Sequence, residues 1–134
     1  ILGFAFKSNT NDTRESPAIN ICKNLLEEGC NLSIYDPKVD EIQINKDLSD
    51  NNPNYNENTK VWQVNNCLLE TVKGSDALVI LTEWDEFLKL DLARIYKLMR
   101  VPSWIFDARN VIDIQNAQKV GFRVWKLGDG KLFN

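Results

Sequence analysis

Two cations, Lys7 and Arg14, stand in a stretch that begins apolar at Gly3-Phe4-Ala5-Phe6, turns polar from Lys7 to Glu15, and ends on Ser16-Pro17. The Ser16 side chain can accept from backbone N–H groups and Pro17 fits a first helical position, so a helix opens there. A lysine and an arginine near the positive end of a helix dipole suit an anionic group such as a phosphate. The connection is longer than the roughly 2 to 6 residues usual between strand and helix, and long loops in compact domains are more often functional than idle. A third cation, Arg109, follows the apolar run Trp104-Ile105-Phe106. Arginine offers a fork of donors to a phosphate or a sugar hydroxyl, and lysine a point charge.

These residues need elements to position them. Ile1 to Phe6 reads as a buried strand, and Ala18, Ile21, Cys22, Leu25 and Leu26 then share one helical face up to Gly29. Leu32 to Tyr35 reads as a second strand, stopped by Asp36-Pro37. Residues 37 to 60 are dense in Asn, Asp, Glu and Lys, with scattered apolar residues such as Val39, Ile42, Ile44 and Leu48. The stretch reads as a polar excursion, mobile around Ser49 to Asn58, because so little apolar surface cannot offset the entropy of ordering it. A short strand at Val61 to Val64 and a short helix at Asn66 to Lys73 follow.

Ala77 to Leu81 is apolar on both faces, as a central parallel strand is. The helical stripe Leu92, Ile95, Tyr96 and Met99 stops before Pro102. Trp104 to Phe106, a helix around Ile114 to Val120 and an edge-like strand at Phe122 to Leu127 complete the chain. Alternating strands and helices predict an α/β, doubly wound, Rossmann-like parallel sheet of about five or six strands in a three-layer α/β/α arrangement. Ligands of such sheets bind outside the carboxyl ends of the strands where strand order reverses. The Lys7 loop, the Thr82-Glu83-Trp84 turn and the Asp107-Ala108-Arg109-Asn110 turn all fall at that edge, and the first two flank the expected reversal.

Composition narrows the functions. A chain of 134 residues is the size of one domain, and a net charge of −3 with pI near 5.0 lacks the electrostatic footprint of a nucleic-acid binder or a basic membrane-surface protein. No apolar run approaches the ~20 residues that span a bilayer. The chain reads as cytoplasmic, and its start in an apolar strand without methionine gives the expectation of a fragment cut from something longer. Histidine is absent, which removes the commonest general base and metal ligand. Cys22, Cys30 and Cys67 lack zinc-site or disulfide spacings, so no metal site is expected, and neither Cys30 nor Cys67 has a cationic or histidine neighbour in sequence that would lower its pKa.

The motifs Gly3-Phe4-Ala5-Phe6-Lys7, Asp12-Thr13-Arg14-Glu15-Ser16, Tyr35-Asp36-Pro37-Lys38-Val39, Thr82-Glu83-Trp84-Asp85 and Ile105-Phe106-Asp107-Ala108-Arg109 occur in that order over most of the chain. The sequence resembles the C-terminal, UDP-binding domain of the UDP-glucose/GDP-mannose dehydrogenase family, on its UDP-glucose branch. The resemblance implies a complete enzyme that oxidises UDP-glucose to UDP-glucuronate with two NAD through a cysteine-bound intermediate, the cysteine belonging to a preceding domain. It implies that Phe6, Lys7 and Arg109 contact the UDP-sugar and that Arg14 reaches toward NAD held mainly by the missing N-terminal domain. It also implies partners in the N-terminal NAD-binding and central domains, a homo-oligomer in the full-length protein, and an isolated chain without activity. A non-enzymatic Rossmann-like module, or a sibling acting on UDP-N-acetyl-mannosamine or GDP-mannose, is the competing reading.

Several residues carry two readings at this point. Arg14 either reaches toward NAD or closes a local ion pair with Asp12 or Glu15. Phe6 is either the last core residue of its strand or a ring against the nucleotide. Asp36 either holds ribose hydroxyls, as an acidic residue ending a second strand does in dinucleotide folds, or starts a turn with Pro37. The glycine fingerprint that would accompany the first of these is missing, because Lys7-Ser8-Asn9-Thr10-Asn11 stands in its place. Trp84 and Phe87 are read as packing residues, and the three cysteines as structural.

Overall fold

The computed structural model describes residues 1–50, 55–128 and 130. Its elements follow from local chemistry. Helix α1 (Pro17–Glu27) opens where the Ser16 hydroxyl accepts from the Ala18 N–H and proline takes the first helical position. It buries Ala18 and Cys22 and ends at Glu28, followed by Gly29 at φ +85. Strand β1 (Leu32–Ile34) buries Leu32 and Ile34 on alternate positions, helix α2 (Glu41–Ser49) comes next, β2 (Trp62–Val64) pairs with β1 in parallel, and α3 (Leu68–Val72) follows. Strand β3 (Ala77–Ile80), helix α4 (Leu92–Leu98), strand β4 (Trp104–Asp107), helix α5 (Ile114–Val120) and strand β5 (Arg123–Lys126) form the second half. Among the described residues every strand pairing is parallel.

The two halves are joined by the amino-terminal segment, which lies between β1 and β3. Leu2 bridges Tyr35 on one side and Ile80 on the other. Its neighbours complete the ladder, with Gly3 N–H donating to Tyr35 O at 2.8 Å and Leu81 N–H to Leu2 O at 2.9 Å. The spatial order is therefore β2-β1-(1–3)-β3-β4-β5. Counted along the chain this is 3-2-1-4-5-6, the doubly wound arrangement, and the order reverses between the amino-terminal segment and β3. Right-handed crossovers running in opposite directions from that point place α1 and α2 on one face of the sheet and α4 and α5 on the other. The packing agrees, since α1 meets α2 while α4 meets both α3 and α5.

Two expectations change. The first strand does not run to Phe6: regular pairing ends at Gly3, whose φ of +90 turns the chain, and a Cβ there would sit 2.5 Å from the Thr82 Cβ. The polar excursion contains helix α2 (Glu41–Ser49), in which the Asp40 carboxylate accepts from Gln43 N–H at 2.8 Å and Ile44 and Leu48 are fully buried. Two core side chains one turn apart suffice to dock it on α1, whatever the polarity of the rest. The mobility expected around Ser49 to Asn58 falls partly on residues 51–54, outside the described residues; Glu57–Thr59 forms a short 3-10 turn.

Candidate functional site

The carboxyl edge of the sheet is built around buried polar groups rather than apolar ones. Asp36, at the end of β1, accepts on Oδ2 from Phe4 N–H (2.7 Å), Ala5 N–H (3.0 Å) and Trp84 Nε1–H (3.1 Å). Its Oδ1 accepts from Lys38 and Val39 N–H, both at 2.9 Å. Thr82, fully buried, donates its hydroxyl to Ala5 O at 2.7 Å, and Ser16 donates its hydroxyl to Phe4 O at 2.7 Å. The strand-to-helix loop thus has the backbone at Phe4 and Ala5 bonded on both N–H and C=O to side chains from three other segments. Phe6 N–H then donates to Asp12 O at 2.8 Å, closing the loop on itself.

The third loop is fixed the same way. Asp107, the last residue of β4 and fully buried, accepts from Arg109 N–H at 3.0 Å and from Ile112 N–H at 2.8 Å. That turn sends the Arg109 side chain back across the edge. Its Nε donates to Leu81 O at 2.8 Å, its Nη2 to Phe6 O at 3.2 Å, and Glu83 Oε2 lies 3.3 Å from Nε. The Nε hydrogen is directed at Leu81 O, so the Glu83 contact is an ion pair without a hydrogen bond of its own. One guanidinium accordingly ties the loop after β4 to the end of β3 and to the residue before Lys7.

The three non-glycine residues with positive φ described in the chain are Asn9 (+64), Glu15 (+60) and Asn110 (+62), and each lies in these edge loops. Such conformations cost on the order of 1 kcal/mol apiece and persist only where surrounding contacts over-determine them. Five of the seven buried polar residues, Thr13, Ser16, Asp36, Thr82 and Asp107, sit at the same edge. The edge is held in shape before any ligand arrives.

The sequence-derived candidates fall into this frame as follows. Phe6 is 44% exposed, so it is not the last core residue; its ring stands at the mouth. Lys7 is exposed beside it, and among the described residues its ammonium has no hydrogen-bond or ion-pair partner. Arg109, half-buried, meets the Phe6-Lys7 backbone as described. Arg14 is turned to solvent in a bidentate pair with Asp12, Nε to Oδ1 at 3.0 Å and Nη2 to Oδ2 at 2.8 Å, and that arginine holds the Asp12 carboxyl down at about 2. Asp36 has both oxygens engaged by five N–H donors and starts the turn through Pro37, which leaves nothing for ribose hydroxyls.

Trp84 and Phe87 are buried, the tryptophan serving as one of the Asp36 donors. Cys22 is buried on α1 and desolvation pushes its thiol up to about 12, so it offers no thiolate. Glu83 is the edge residue that the sequence reading passed over. It lies in a motif already singled out, one residue past Thr82, and only the fold brings it to Arg109. Among the described residues no group of three or more His, Cys, Asp or Glu could hold a metal ion, and no helix is long and apolar enough to cross a membrane.

Comparison with known proteins places this geometry. The family model for the UDP-glucose/GDP-mannose dehydrogenase family, UDP binding domain, matches residues 1–114. A UDP-glucose 6-dehydrogenase of Drosophila melanogaster is 48% identical over 132 residues, covering 96% of this chain and 27% of the relative. UDP-glucose 6-dehydrogenase 2 of Arabidopsis thaliana is 44% identical over 142 residues, covering 96% and 29%. Among solved structures, an NDP-N-acetyl-D-galactosaminuronic acid dehydrogenase of Methanosarcina mazei superposes with TM-score 0.75 at 25% identity, over 95% of this chain and 23% of the other. A UDP-D-ManNAc dehydrogenase of Pyrococcus horikoshii gives 0.71 at 29% identity, over 98% and 25%. The chain spans less than a third of the curated relatives it matches.

Proposed function

We propose, from the premise that this chain belongs to the UDP-glucose/GDP-mannose dehydrogenase family, that residues 1–134 are a UDP-sugar-binding domain whose mouth is formed by Phe6, Lys7 and Arg109. The observation that carries the reading is the Arg109 bridge to Leu81 O and Phe6 O at the reversal of strand order. It ties the Arg109 guanidinium to the residue before Lys7, at an edge where the Phe6 ring is also exposed. A diphosphate meets both charges there, and a planar uracil or a sugar face can lie on Phe6.

The UDP-glucose branch is favoured over the siblings. The sequence is 44% to 48% identical to UDP-glucose 6-dehydrogenases but only 25% to 29% identical to the two sibling dehydrogenases of known structure. In the complete protein the activity would be oxidation of UDP-glucose to UDP-glucuronate with NAD. This chain has no dinucleotide site to offer NAD, because the glycine fingerprint is missing and the Asp36 carboxylate is consumed by the fold. Its contribution toward that cofactor would be Arg14, which is exposed and would exchange its pair with Asp12 for an external phosphate. The family resemblance puts the nucleophilic cysteine in a preceding domain, and of the three cysteines here Cys22 is buried and unreactive, so this chain alone would not turn over UDP-glucose. The protein would work in the cytoplasm as a homo-oligomer.

Isothermal calorimetry with UDP tests the mouth. Loss of one charge-assisted contact costs about 1.5 to 3 kcal/mol, so Lys7→Ala and Arg109→Ala should each weaken binding by about 10- to 150-fold. Lys7→Ala is the cleaner variant, since its side chain has no described partner within the fold. Unchanged affinity in both variants, with circular dichroism showing them folded, would sink the assignment.

A further inference from the structure

A guanidinium carries its N–H groups in one rigid plane, and the way they are shared decides what it can hold. In Arg109 the side edge of the fork is occupied, because Nε donates to Leu81 O at 2.8 Å and Nη2 to Phe6 O at 3.2 Å. Both acceptors are backbone carbonyls, so they direct the plane without cancelling its charge. The N–H groups of Nη1 and the second one of Nη2 form the other end of the fork, and among the described residues they meet no acceptor. That end is left for a ligand oxygen.

Glu83 stands by the occupied edge. Its Oε2 lies 3.3 Å from Nε, is buried, and has no hydrogen-bond partner. Burying a carboxylate oxygen without a donor is unfavourable, and the positive charge beside it is what offsets the loss. The carboxylate is also held in place through its neighbours. Thr82 donates its hydroxyl to Ala5 O at 2.7 Å, while Trp84 donates its backbone N–H to Thr82 O and its indole N–H to Asp36, both at 3.1 Å. The residues on either side of Glu83 are thus bonded into the frame that carries Phe6.

We infer that Glu83 is a positioning residue, which keeps the Arg109 guanidinium in this plane and so leaves Nη1 and the second Nη2 N–H for the ligand. The inference rests on the UDP-sugar reading of the mouth. Removing the carboxylate has two opposed effects. Electrostatics alone predicts tighter binding of UDP, since a negative charge near a diphosphate repels it. Positioning predicts the reverse, because an arginine freed from its charge partner must be ordered again when the ligand binds, which weakens affinity on the order of 2- to 10-fold. The sign of the change tells the two apart.

In the full-length protein, calorimetry with UDP compares the parent, Glu83→Gln, Arg109→Ala and the double variant. Glu83→Ala is measured beside them, since it sets no amide group against Nε. The expected result is that Glu83→Gln and Glu83→Ala each weaken UDP by about 2- to 10-fold, while Glu83→Gln leaves the affinity of the Arg109→Ala protein unchanged. A loss of fold support alone would recur in that background. With UDP-glucose as substrate, KM should rise by the same factor at unchanged kcat. UDP held as tightly as by the parent or more so, an equal loss in the Arg109→Ala background, or a loss carried by kcat would overturn this inference alone, provided Arg109→Ala itself binds UDP weakly. An Arg109→Ala protein that binds UDP like the parent would overturn the mouth assignment and this inference with it.

Discussion

Replacing Asp36 by asparagine separates the two roles open to an acidic residue at the end of a second strand. In the structure one oxygen accepts three N–H donors and the other accepts two. The asparagine amide group must take the place of one oxygen, and whichever way it turns, at least two N–H donors then face an N–H₂ group. Hydrogen bonds to an ionised group contribute roughly 1.5 to 3 kcal/mol each, and a buried donor left unpaired adds its desolvation cost. Two such losses amount to about 4 kcal/mol once some relaxation is allowed. For a domain between the sizes for which about 4–8 °C and about 2–4 °C per kcal/mol apply, that is a fall in Tm of roughly 12 to 20 °C. The assay is thermal unfolding followed by circular dichroism, with urea unfolding to check that the slope is unchanged. A carboxylate kept for a ribose would be dispensable to the fold. An Asp36→Asn protein that melts within about 3 °C of the parent would therefore refute the assignment of Asp36 to loop anchoring, and with it the claim that the edge is rigid before binding.

Other consequences can be read off in the same experiments. Gly3→Ala should lower stability by more than about 3 kcal/mol, because a Cβ would lie 2.5 Å from Thr82 Cβ in a backbone conformation costly to any L residue; a soluble variant with parental Tm would contradict the close approach. Leu48→Ala should cost about 2 to 5 kcal/mol in urea unfolding, the ordinary range for a buried leucine, whereas a truly unstructured excursion would show no change. The Asp12 carboxyl titrates at about 2 when folded against 3.8 in the unfolded chain, the main cause being its hydrogen bonds from the Arg14 side chain. Its folded-state value is depressed, so the pair's contribution is complete above about pH 4 and is lost as pH falls toward 2. Melting curves from pH 5 to pH 2 should consequently converge for the parent and Asp12→Asn at the acid end, and parallel curves over that range would count against the pair.

Much of the architecture was legible because it rests on local rules. Ser16-Pro17 announced a helix start, Gly29 and Gly121 followed helix ends, and Ala77 to Ile80 had the continuous apolar character of a central strand. Helix α2 was not legible from average polarity, since two buried positions out of nine hold it; the Asp40 cap with Ile44 and Leu48 one turn apart was the available signal, and composition hid it. The length of the first strand was misjudged for a different reason. Phe4 and Ala5 are apolar and fully buried, yet their N–H groups serve a carboxylate 31 and 32 residues away instead of a neighbouring strand. Side-chain capture of backbone donors leaves no periodic trace in a sequence. The same holds for Glu83, whose relation to Arg109 spans a crossover and exists only once β3 and β4 are paired.

The location of the polar burial bears on how the mouth would bind. A protein that closed its loops over a ligand would leave them loosely held beforehand, with few internal hydrogen bonds at the edge. Here Phe4, Ala5, Phe6 and Arg109 each have backbone or side-chain groups bonded across segments, and the chain carries Asn9, Glu15 and Asn110 in left-handed conformations there. A fold that accepts that strain gains a preset spacing between Lys7 and Arg109, so a ligand need not supply the ordering free energy when it binds. The cost of ordering has been moved from the binding step into folding. That is why, on the proposed function, a carboxylate with no part in contacting the ligand should matter as much to the site as the two cations proposed to do so.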